Sequence, residues 1–154
     1  MNAMTECNHH NQCIADAVAE AKSRCEQQHV RFTEQRQRVF ELVWASHQPI
    51  KAYDILAALQ KDDPAAKPPT VYRALDFLLE LGLIHKLHRL NAYTGCAHIE
   101  ANTPCLFLIC AKCGEVSEED SPSLSNFIDK TAKAHHFQPG EAALEIEGLC
   151  ARCA

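Results

Sequence analysis

The stretch PPTVYRALDFLLELGLIHK, residues 68–86, decides how the first half of the chain is read. Two prolines open it, and proline is tolerated in the first turn of a helix, where its missing N–H would have no partner anyway. Val71, Ala74, Leu75, Leu78 and Leu79 then recur at i, i+3, i+4, i+7 and i+8, one face of a helix, and Gly82 is placed to end it. Tyr72, Arg73, Asp76 and Glu80 fall off that stripe, so the helix keeps a polar face for a partner.

Outward from this helix the pattern holds. Upstream, residues 14–28 place Ile14, Val18, Ala21 and Cys25 at helical spacing; 33–47 set Val39, Leu42 and Val43 on a similar stripe; 52–60 form a third short helix. Downstream, LIHKLHRLNAYTGC is expected to form two short strands around a turn near Leu90 and Asn91. Helices followed by a hairpin are the parts of a winged helix-turn-helix, in which one helix enters the major groove of DNA.

The polar, turn-prone segment 99–105 marks the end of this unit. LFLIC and EVSEE read as strands, SLSNFIDKTAKAHHF as an amphipathic helix with Leu124, Phe127, Ile128 and Ala132 on one face, and AALEIEGLC as a further strand. The expected division is a tail over 1–13, a winged-helix domain over 14–97, a hinge over 98–104 and a small domain over 105–154, an α+β chain. A domain of about fifty residues rarely draws more than roughly 3–5 kcal/mol from its core, so a staple or a partner chain is expected.

CAKC at 110–113 and CARC at 150–153 supply the staple. A two-residue gap lets both thiolates of one pair reach a metal, and two pairs complete the tetrahedral sulfur site that zinc prefers. Each pair follows an expected strand, so neighbouring strands could deliver Cys110, Cys113, Cys150 and Cys153 to one place. With no open position the site is structural. The start MNAMTECNHHNQC lacks a basic and an apolar segment, and no run of 18 apolar residues occurs, so a cytoplasmic chain without a membrane partner is expected. In that compartment the nine cysteines point to metal or redox chemistry rather than disulfides.

The net charge of −5 hides an asymmetry: residues 1–90 hold 11 basic against 11 acidic side chains, and residues 91–154 hold 4 against 9. Any contact with DNA belongs to the first part.

With PPTVYRALDFLLELGLIHK, AYDILAAL before it, Cys96, CAKCG and GLCARC, the chain resembles the ferric uptake regulator family, and most of all its zinc-regulating branch. The resemblance covers about residues 15–153. It implies a winged-helix DNA-binding domain followed by an α/β dimerisation domain, and a homodimer that binds double-stranded operator DNA and represses zinc uptake genes when metal is bound. No small-molecule substrate is expected. The family pattern assigns Tyr72 and Arg73 to base edges and Tyr53 to a further contact. Arg73 can give two hydrogen bonds to a guanine, and Tyr72 can pack on a thymine methyl. Thr70, Lys67, Arg31 and Arg36 complete the expected DNA contacts, with Arg38 and Lys51 also suited to phosphate.

The same resemblance implies a second, regulatory zinc on His85, Cys96 and Glu118, making two zinc ions per subunit. Relatives carry a histidine just before the LFLIC strand where this chain has Thr103 and Pro104, so the fourth ligand is Cys105 or His98, with Cys105 favoured. His135 and His136 read as surface histidines, Cys25 as packing, and the Cys/His tail as having no fixed geometry. A regulator of the same family sensing iron, manganese, nickel or peroxide is the near alternative. A thiol oxidoreductase or an adaptor without DNA binding is the distant one, and no catalytic constellation supports an enzyme.

Overall fold

The computed structural model describes residues 10–46, 48–96, 104–140 and 142–154, and the described residues up to 96 and from 104 onward form two compact units. The first unit holds α1 (His10–Gln27), α2 (Glu34–Ala45), α3 (Ala52–Asp62), α4 (Pro68–Glu80) and a hairpin of β1 (Ile84–Leu87) with β2 (Ala92–Gly95). The second runs β3 (Cys105–Cys110), β4 (Val116–Asp120), α5 (Pro122–Ala134) and β5 (Ala143–Gly148). Among the described residues no helix is long and apolar enough to cross a membrane.

α4 forms as its sequence dictates. Pro68 and Pro69 occupy its first turn, Val71, Ala74, Leu75 and Leu78 are buried, and Gly82 follows the helix with φ of +65°, a conformation that costs glycine nothing. Thr33 caps α2 by accepting from the Arg36 N–H at 3.3 Å. The core of the unit gathers Val39, Phe40 and Val43 of α2, Ile55 and Leu59 of α3 and the buried face of α4 around Ala17, Val18 and Ala21 of α1. Phe40, off the expected stripe of α2, is fully buried; its ring meets Phe32 edge-on at 6.1 Å and Trp44 at 5.9 Å. Cys25 is buried, as its place on the apolar stripe of α1 implies, and that burial raises its thiol pKa.

One boundary differs from expectation. α1 starts at His10 rather than Ile14, so residues 10–13 are helix and not tail; Gln12 supports the added turn by donating to Asp16 one turn on, at 2.9 Å. The hairpin turn spans residues 88–91, and Asn91 takes the left-handed conformation at φ +48°, which asparagine tolerates better than most residues. The hairpin is tied to the helices by a bridge in which Ile50 and Tyr93 exchange both backbone hydrogen bonds, at 2.9 and 2.8 Å.

In the second unit β3 is central, antiparallel to β4 and parallel to β5. A parallel return needs a crossover, and α5 lies within it. Ser121 caps α5 by accepting from the Leu124 N–H at 3.3 Å, and Pro122 opens its first turn. Cys105, Phe107 and Ile109 of β3 are buried, whereas Leu108, Leu144, Ile146 and Leu149 are exposed. On α5 the expected apolar face is only partly covered: Ala132 is buried, Leu124 and Ile128 are half-buried, and Phe127 is 66% exposed. One sheet with one helix has too little surface to cover all of these side chains.

Gly95 on β2 faces Trp44, and a Cβ there would fall 2.7 Å from the indole. Gly95→Ala is expected to destabilise the first unit by about 1–3 kcal/mol through overpacking. Fluorescence of the chain's single tryptophan, followed in denaturant, checks this through a lower midpoint; an unchanged midpoint would show that the indole moves aside freely.

Candidate metal centres and nucleic-acid face

The parallel register of β3 and β5 sets Cys110 opposite Gly148, and each strand runs directly into a tight turn that carries a cysteine pair. In the first turn Cys110 N–H donates to the Glu115 carbonyl at 2.8 Å and Gly114 N–H to the Cys110 carbonyl at 2.9 Å, with Gly114 at φ +74°. In the second, Cys153 N–H donates to the Cys150 carbonyl at 2.9 Å. Ala111 N–H, donating to the Gly148 carbonyl at 2.8 Å, holds the two turns side by side.

The sulfurs of Cys110, Cys113, Cys150 and Cys153 consequently lie within 4.8 Å of one another, with 3.7 Å between Cys113 and Cys150. Four sulfurs around zinc at about 2.3 Å stand roughly 3.8 Å apart, so the arrangement fits that ion and is too open for a disulfide. Cys150 N–H donates to the Cys110 sulfur at 3.4 Å, and with the Cys113 N–H this brings the Cys110 thiol down to about 6. Cys153 goes the other way, pushed up to about 12 by the Cys150 sulfur and by desolvation. The backbone is thus already arranged to favour one thiolate, while a metal must displace the remaining protons.

The other expected ligands form two pairs, one in each unit. In the first, His85 stands on β1 opposite Thr94, Cys96 directly follows β2, and a ring nitrogen of His85 lies within 4.8 Å of the Cys96 sulfur. In the second, Cys105 pairs with Asp120 and Phe107 with Glu118, so Cys105 and Glu118 share a face of the sheet. The Cys105 sulfur and a Glu118 carboxylate oxygen also lie within 4.8 Å. His98 lies outside the described residues.

On the face of α4 away from the core, Arg73 and Tyr72 are exposed and Thr70 is half-buried. Tyr53 in the first turn of α3 is 79% exposed, and Lys67, just ahead of α4, and Arg31 are exposed as well. Arg36 is engaged inside the unit: its guanidinium lies 3.7 Å over the Phe77 ring and donates to the Arg31 carbonyl, fixing the segment that carries Arg31. Arg38 is paired with Asp62 at 2.7 Å and with Glu41 at 3.6 Å. Glu41 is an i,i+3 neighbour of Arg38 within α2, but Phe77 and Asp62 come from other helices and cannot be read from the sequence.

Residues 27–147 match the ferric uptake regulator family. The zinc uptake regulation protein of Escherichia coli (strain K12) is 40% identical over 140 residues, covering 90% of this chain and 81% of that protein. Among solved structures, a zinc uptake regulator complexed with zinc and DNA is similar with a TM-score of 0.81 and 38% identity, over 90% of this chain and 93% of that one. Holo XcZur is similar with a TM-score of 0.76 and 38% identity, over 88% and 94%.

The four-sulfur geometry sets an expectation for Cys113→Ser. The variant should lose the zinc that survives mild chelation of the wild type, and with it the cooperative unfolding of residues 104–154, since binding and folding of a metal-stapled unit are one equilibrium. Zinc content and circular dichroism melting check this; a folded second unit without tightly held zinc would contradict it.

Proposed function

Because this chain belongs to the ferric uptake regulator family, we propose that it is a zinc-responsive DNA-binding repressor of zinc uptake genes, acting as a homodimer in the cytoplasm with two zinc ions per subunit. The observation that carries this reading is the pairing of two kinds of ligand group in one chain. Four sulfurs without an open position suit a structural ion. His85 with Cys96 in the first unit, and Cys105 with Glu118 in the second, are two further donor pairs, which the proposal assigns to the regulatory ion.

Cys105 is the fourth regulatory ligand in this proposal. Its place beside Glu118 supports it, and a second thiolate strengthens the preference for zinc over a harder ion such as Fe(II). The first unit reads DNA with Tyr72, Arg73 and Thr70 of α4 and Tyr53 of α3, while Lys67 and Arg31 contact phosphate and Arg36 acts through Arg31. The exposed Leu108, Leu144, Ile146, Leu149 and Phe127 support the homodimer, because a second copy would remove them from water.

Fluorescence anisotropy on zinc-uptake promoter DNA at buffered free zinc tests the proposal. Wild type should bind with zinc and release with chelator. Arg73→Ala should weaken operator binding by about 1–3 kcal/mol while leaving the zinc midpoint in place, and Cys105→Ala should move that midpoint to higher zinc. Binding indifferent to zinc would overturn the function, and a response lost in His98→Ala but kept in Cys105→Ala would give the fourth position to His98.

A further inference from the structure

Arg152 is the second residue between the cysteines of the second pair, and its guanidinium reaches across to the first turn, where Nη2 meets Glu115 Oε2 at 2.9 Å. Glu115 is tied into that turn through its own carbonyl, which accepts from the Cys110 N–H at 2.8 Å. The Glu115 carboxylate and, after it, the nearby Cys150 sulfur raise the Arg152 pKa. One side chain of the second turn therefore grips, through a carboxylate, the backbone that positions a ligand of the first.

We propose that Arg152, braced by Glu115, is a positioning residue of the four-cysteine metal centre that slows release of its ion. Two physical effects act together. Four thiolates around a divalent ion leave the centre anionic, and a guanidinium held beside it by Glu115 offsets part of that charge. The ion pair also clamps the turns, so that detaching Cys150 from the metal requires breaking a contact that spans both. Losing a group that orients a metal ligand in this way typically costs about 10- to 100-fold in affinity. Because Arg152 is 75% exposed, solvent screening sets the effect at the lower end of that range, and the clamp acts on dissociation rather than on whether the unit folds.

The proposal rests on the four cysteines holding zinc, and its test separates the two claims. Full-length protein carrying zinc in this centre is mixed with excess chelating dye, and the release rate is compared among wild type, Arg152→Ala, Arg152→Lys and Glu115→Gln. Arg152→Ala should release zinc about tenfold faster. Glu115→Gln should fall between it and wild type, and Arg152→Lys should recover part of the loss through its charge. With cobalt in place of zinc, the sulfur-to-metal charge-transfer bands should shift in Arg152→Ala, because the cation beside the thiolates has gone; an unspecific loss of stability would leave the bands of the loaded protein in place. Release rates within twofold of wild type, or unchanged bands, would overturn the role of Arg152. Wild-type protein that holds no chelation-resistant zinc would overturn the metal centre itself and this proposal with it.

Discussion

The parallel pairing of β3 with β5 is the constraint on which the second unit depends. Parallel strands point the same way, so their ends, and the turns that follow, lie at the same edge of the sheet. Two cysteine pairs separated by most of the unit's sequence, α5 included, meet there without any long-range search by flexible loops. An antiparallel return would have sent the second pair to the opposite end of β3. The strands alone are a weak platform: β5 is largely exposed and its apolar residues face water in the single chain. The proposed metal-bound closure of the two turns would supply what the thin core does not, and the proposed second copy would supply the rest.

The first unit works on a different principle. Its core is ample, so the helices need no staple, and the side chains that would meet DNA are the ones the core does not use. α4 divides cleanly into a buried stripe and an exposed Tyr72, Arg73 and Asp76. The hairpin is not an appendage either, since the Ile50 and Tyr93 exchange and the close seat of Gly95 against Trp44 join it to the helices. That rigidity matters for His85 and Cys96, which sit on and just beyond its strands and can present a fixed pair of donors.

Much of this was legible from residues. Pro68, Pro69 and Gly82 mark the ends of α4 because their backbone constraints are local, and the cysteine spacing speaks for itself because metal geometry is strict. The strands and α5 of the second unit follow from the period of their apolar residues. What escaped was decided by partners distant in sequence. Arg36 looks like a phosphate ligand until Phe77 is placed beneath it. Phe40 lies outside a simple stripe because α2 is packed on more than one side. Phe127 reads as core, yet the unit is too small to cover it. The Arg152 and Glu115 contact joins residues that no helical or strand period relates.

The central claim is that four thiolates close the second unit around zinc, and zinc-edge X-ray absorption on the full-length protein with one zinc per subunit tests it most directly. The account predicts a shell of four sulfurs at about 2.3 Å with no nitrogen or oxygen neighbour. A mixed shell, with imidazole or carboxylate donors replacing sulfur, would contradict it.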